Sequence, residues 1–163
     1  MKEMTDDLLR RFLIACLRGR WDPTGLDAAR ALADQPGFDW SELRARAIRE
    51  GVAQLLYVTL RDRALMPEDV ASDLRRIYFQ TARRNLLVFR DLAEVLKRLE
   101  DAGVPVIVLE GVALAEVVYE NLAARPMCDV DLLVYRDDMP RAMGVLTDLG
   151  YTGGERERRD GDT

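Results

Sequence analysis

Residues 104–135 read VPVIVLEGVALAEVVYENLAARPMCDVDLLVY. This stretch decides the fold, because two short apolar, β-branched runs bracket a helix-like segment and a pair of spaced acids. Val106 to Leu109 has the composition of a strand, Glu110-Gly111 that of a turn, and Val112 to Tyr119 that of a short helix. A loop through Arg125-Pro126 then leads into a second strand, 129–135, which carries Asp129 and Asp131. Strand residues two apart point to the same face, so both carboxylates leave one side, separated by about 6 to 7 Å along the strand. Val130, Leu132 and Val134 are left to bury the other side. Two acids so placed suit one or two hard divalent cations, which take oxygen ligands and, as a bridged pair, sit about 3.5 to 4 Å apart. The other reading of the same pattern is a strand end with two solvated acids.

Working outward, the first hundred residues contain helices and no strand. Thr5 is expected to cap a helix from Asp6 to Arg18, and Asp22-Pro23 opens a short one that reaches Ala33. Asp39 with Glu42 resembles a capping box before one long amphipathic pattern that ends near Arg63. Pro67 opens the most regular helix of the chain, with Val70, Leu74, Ile77, Tyr78, Ala82, Leu86, Phe89, Leu92, Leu96 and Leu99 at helical spacing before Gly103 and Pro105 stop it. After the central stretch, Asp137 and Asp138 are placed to cap a last helix through Leu149, with Pro140 in its first turn and Met143, Leu146 and Leu149 inward. The pattern predicts an α+β chain with a helical segment, 1–103, packed on a small mixed sheet within 104–163. Tyr151 onward reads as an edge strand fraying into a polar tail.

Composition narrows the chemistry. The chain has 163 residues, 48% of them apolar, and a net charge of −5, which suits a soluble globular protein without bulk attraction to nucleic acid. No apolar run approaches the roughly 18 residues of a membrane span, and no signal peptide pattern opens the chain, so the expected location is the cytoplasm. Cys16 and Cys128 fall in different elements and are expected as reduced thiols. Histidine is absent and serine occurs only at Ser41 and Ser72, which removes His-assisted nucleophilic catalysis and a Cys/His zinc tetrad. Carboxylate, arginine and backbone amide chemistry remain, the means of metal-assisted phosphoryl transfer.

The runs GVPVIVLEGVALAEVVY, ARPMCDVDLLV and DLGY, with DWSELRARAIREGVAQLLYVTL and ARRNLLVFRDLAEVL before them, resemble the uncharacterised nucleotidyltransferase family of the polymerase β-like superfamily over about residues 38 to 151. The resemblance implies a small mixed sheet backed by helices. It also implies transfer of a nucleoside monophosphate from a nucleoside triphosphate to an acceptor hydroxyl, with weakly bound Mg²⁺ or Mn²⁺. Carried over by position, Asp129 and Asp131 become the metal-binding, catalytic pair, while Glu110, Gly111 and Arg125 fall on the nucleotide-phosphate side. The physical reading agrees with this assignment. Helix amides that begin after Gly111 would face a triphosphate, and a guanidinium at Arg125 would clamp phosphate oxygens.

This chain departs from the family pattern in three places. Glu110 stands where the family most often has lysine, and Cys128 replaces the usual glycine. The third acid that the family usually brings on a later strand has no strand-like counterpart, since Glu155, Glu157, Asp160 and Asp162 lie in the polar tail. The expectation is therefore that the chain lacks the family's C-terminal part and transfers nucleotides poorly or not at all. The alternative is a non-catalytic remnant that binds nucleotide or protein. The expected partners are a nucleoside triphosphate, an acceptor that the sequence does not name and further copies in a homo-oligomer, with no membrane.

Overall fold

The computed structural model describes residues 2–109, 111, 121–127 and 129–153. In chain order the elements are α1 (Lys2–Arg18), α2 (Thr24–Ala33), α3 (Trp40–Arg49), α4 (Ala53–Leu60), α5 (Glu68–Asp101), β1 (Val106–Leu109), β2 (Asp131–Val134), a 3₁₀ turn (Arg136–Asp138) and α6 (Met139–Asp148). Glu110, Cys128, the expected helix 112–119 and the tail beyond residue 153 lie outside the described residues. The α+β reading holds, with most of the chain helical. Of the small mixed sheet, the described residues hold one antiparallel pair, β1 with β2.

Local signals account for most boundaries. Asp39 accepts hydrogen bonds from the backbone N–H of Ser41 (2.8 Å) and Glu42 (3.1 Å), satisfying two of the donors that a helix start leaves open. Asp22 accepts from Thr24 N–H at 3.0 Å before α2. Two helix boundaries differ from expectation. α1 begins at Lys2, so Thr5 lies inside the helix and does not cap it. The long helix expected over residues 39–63 is two helices, because Gly51 takes φ +70°. Gly51 N–H then bonds to Ile48 O at 3.1 Å and Val52 N–H to Ala47 O at 2.9 Å, a paired motif that ends α3.

α5 is one unbroken helix of 34 residues, about 50 Å long at 1.5 Å per residue, and it joins the two halves. Its first part packs Val70, Leu74 and Ile77 onto the core of α1–α4, where Leu9, Phe12, Cys16, Leu43 and Leu56 are buried. Its second part packs Leu92, Val95 and Leu99 beneath the ribbon and against α6. Between them the buried positions are polar: Gln54 of α4 donates to Thr81 Oγ1 at 2.8 Å, and Asn85 is fully enclosed. This corrects the predicted stripe at Leu86, which is 58% exposed. Met143 of α6 likewise faces outward, and Ala142 is the buried residue on that helix. Burial also pushes the Cys16 thiol up to about 12, which keeps it protonated and unreactive at neutral pH.

Two features of this half of the molecule give direct tests. A Cβ at Gly25 would come within 2.6 Å of Gly19 N and 2.7 Å of Ala15 O. Those atoms are backbone and cannot rotate away, so Gly25→Ala should cost about 1 to 3 kcal/mol, seen as a lowered thermal midpoint. An unchanged midpoint would show that α1 and α2 do not meet so closely. Across α3 and α5, the Asp73 carboxylate accepts from Arg44 and, at 3.3 Å, from Arg76. These contacts, Arg76 first, hold its pKa below the ordinary 3.8. A carboxyl depressed by folding contributes stability above its unfolded pKa and loses it as pH falls through its folded pKa. The stability gap between the protein and Asp73→Asn should therefore shrink on acidification below about pH 4, whereas a pH-independent gap would exclude this coupling.

Candidate functional site

The ribbon sets the geometry. Val106 pairs with Val134, Ile107 with Leu133, Val108 with Leu132 and Leu109 with Asp131. Val108 and Leu132 turn inward to α5, and Val106 and Val134 pack on the core shared with α6. Ile107 and Leu133 face solvent. Strand β2 begins at Asp131 rather than 129, so Asp129 precedes the strand instead of lying on it. The ladder stops there because Gly111, which continuation of the register would set opposite Asp129, has already turned helical. Exposure still alternates along the segment, with Asp129 and Asp131 exposed and Val130 and Leu132 half-buried.

Gly111 is half-buried, and a Cβ built on it would lie 3.9 Å from Met127 Cγ. Met127 is itself buried against Leu92. The end of β1 and the segment leading to Asp129 are therefore neighbours. Arg125, half-buried, belongs to this segment, and among the described residues its guanidinium has no ion pair. Glu110, the remaining expected phosphate-side residue, lies outside the described residues.

Segment 121–127 is held by Asn85, which the sequence reading passed over, and by Tyr78, which it placed only on the apolar stripe. Asn85 Nδ2 donates to Leu122 O and, at 2.8 Å, to Arg125 O. Tyr78 Oη donates to Asn121 Oδ1 at 3.2 Å, and the same oxygen accepts Ala123 N–H at 3.0 Å. Ala123 and Ala124 are buried in the turn that results. The available signal was an asparagine at position 85, seven residues from both Tyr78 and Leu92 on the inner stripe of a long helix.

Beside Asp129 a cavity of about 410 Å³ opens between α5 and β2. Val88, Leu92, Val95 and Leu132 form apolar walls, and Asp91, Asp129 and Tyr151 add polar groups. Asp91 is engaged by Arg90 at 2.8 Å. Asp131 does not line this space. Among the described residues no three acidic or cysteine side chains cluster as a metal site. Two exposed carboxylates nevertheless fit a magnesium-type ion, which is commonly held by one or two carboxylates together with substrate phosphates and water. No described helix is long and apolar enough to cross a membrane.

The fold is α+β, mostly helical with one antiparallel strand pair among the described residues. Residues 36–162 match the family described as uncharacterised nucleotidyltransferase, and the chain belongs to that family. No curated protein and no solved structure matches it.

Proposed function

We propose that the protein binds a nucleoside triphosphate together with a divalent metal ion at the open end of the ribbon and transfers its nucleoside monophosphate to an acceptor hydroxyl, the α-phosphorus exchanging its bond to pyrophosphate, which leaves, for one to the acceptor oxygen, whose proton is lost. Asp129 and Asp131 would hold Mg²⁺ or Mn²⁺, which when bound neutralises phosphate charge and polarises the reacting phosphorus. Arg125 and the backbone at Gly111 bind phosphate oxygens. The register of β1 on β2 carries this reading, since it brings the acid pair to the strand end from which Gly111 departs. The cavity beside Asp129 is apolar apart from Asp91, Asp129 and Tyr151. Carboxylates repel a triphosphate, so the group in that cavity is neutral or cationic, and the phosphates lie toward Arg125.

A second reading, nucleotide binding without turnover, rests on Glu110, which puts a carboxylate where the family most often has lysine and so sets negative charge against a triphosphate. Incubation with labelled ATP, Mg²⁺ or Mn²⁺ and a panel of hydroxyl-bearing acceptors separates the two. Label incorporated by the protein and abolished in Asp129→Asn/Asp131→Asn supports transfer. Retained binding with no incorporation supports the second reading, and absence of both refutes the site.

A further inference from the structure

We infer that Asn85 is a positioning residue, whose side-chain amide fixes the backbone of Leu122–Arg125 so that the Arg125 guanidinium is preset for the nucleotide phosphates. This rests on the nucleotide reading above. Asn85 has no exposed surface, and its single amide nitrogen donates to two carbonyls three residues apart, Leu122 O and Arg125 O. A primary amide carries two hydrogens on one nitrogen, one for each carbonyl, without bringing a charge into the buried position. The orientation is fixed, because exchanging nitrogen and oxygen would set Oδ1 against two carbonyl oxygens.

The placement sacrifices stability. Asn85 Oδ1 is buried with no hydrogen-bond partner among the described residues, and an unpaired buried acceptor is unfavourable. The next positions of the same heptad, Leu92 and Leu99, are apolar and buried, so leucine at position 85 would continue the stripe. What asparagine provides and leucine cannot is a hold on Arg125's own carbonyl. Three anchors seven residues apart on α5 act on one segment: Tyr78 on Asn121, Asn85 on Leu122 and Arg125, and Leu92 on Met127. The backbone of Arg125 is thus pinned, while its guanidinium has no ion pair among the described residues. A guanidinium carried on a fixed backbone loses less freedom when phosphate arrives than one on a loose segment, which is the sense in which the contact is preorganised.

The test is a double-mutant cycle on the full chain, reading affinity for ATP with Mn²⁺ by fluorescence competition, alongside amide hydrogen exchange. Asn85→Leu should keep the thermal midpoint near that of the unmodified protein, speed exchange at residues 122–127, and weaken ATP binding about 10-fold, the scale of losing a supporting hydrogen bond behind a ligand contact. In an Arg125→Gln background it should weaken binding no further. Tyr78→Phe, which removes one hydroxyl and keeps the ring, should shift exchange and affinity in the same direction by a smaller factor, so the inference stays testable if Asn85→Leu does not fold. Unchanged affinity in Asn85→Leu, or an equal loss with and without Arg125, overturns the inference while the nucleotide reading stands. Unchanged affinity in Arg125→Gln overturns the phosphate role of Arg125, and the positioning role falls with it even if exchange at 122–127 responds.

Discussion

Phe12→Ala will remove about 3 to 5 kcal/mol of folding stability, the largest loss expected from any single side chain here. Phe12 has no exposed surface and lies edge-on to Phe38 at 4.9 Å and to Trp40 at 5.5 Å, while Phe38 and Trp40 are themselves 5.0 Å apart. Truncation forfeits the transfer energy of the ring, the quadrupolar attraction of two edge contacts, and the packing of neighbours that cannot close the hole. Domains of this size have only about 5 to 15 kcal/mol in total, so the loss takes a large share of the stability. Urea denaturation followed by circular dichroism measures the loss. A deficit under about 1 kcal/mol would mean that the three-ring cluster does not close the α1–α3 core, since well-packed aromatic sites do not tolerate truncation so cheaply.

The second large effect is on function, with folding unaffected. Asp129→Asn/Asp131→Asn removes two negative charges from exposed positions, where substitutions usually change stability by less than about 0.5 kcal/mol. The same change should lower any nucleotide transfer by about 10² to 10³, as loss of a well-placed electrostatic group does. It should also weaken binding of ATP in the presence of Mn²⁺ while leaving binding without metal nearly unchanged. A full loss of metal-dependent binding at unchanged thermal midpoint would separate the pair from the bland reading of two solvated acids. Equal behaviour of variant and parent would return it to that reading.

Much of this architecture was legible because the signals were local. Asp39 caps α3 through its own carboxylate, Gly103 takes φ +66° at the end of α5, and the alternation at 130–134 gives the inward face of β2. What the sequence hid depends on context beyond the segment. Hydrophobic periodicity ran through Gly51, yet a left-handed backbone there ends the helix regardless of the pattern on either side. On α5 an apolar count selected Leu86, although the helix turns Thr81 and Asn85 inward, because their partners are Gln54 on α4 and carbonyls some 40 residues downstream. No window on α5 alone contains those partners.

The candidate site divides in the same way. Asp129, Asp131, Gly111 and Arg125 were readable from residue type, order and the family resemblance. The early end of the ladder was not, since the alternation continues to Asp129 while the pairing with β1 ends at Asp131. Asn85 went unread for a related reason, and Tyr78 was read only as part of the apolar stripe. A polar residue within a long helix reads as a solvated position until the segment that it holds is seen beside it.

In the proposed function Asp129 and Asp131 serve a metal-bound triphosphate at the end of the ribbon beside Gly111 and Arg125. Paramagnetic broadening by Mn²⁺ in isotope-labelled protein, with and without ATP, tests it most directly. Broadening should centre on Asp129 to Asp131 and reach Gly111 and Arg125, strengthen with ATP and disappear in Asp129→Asn/Asp131→Asn. Broadening that survives the double substitution, or that centres on the acidic side chains of α1–α4, would contradict it.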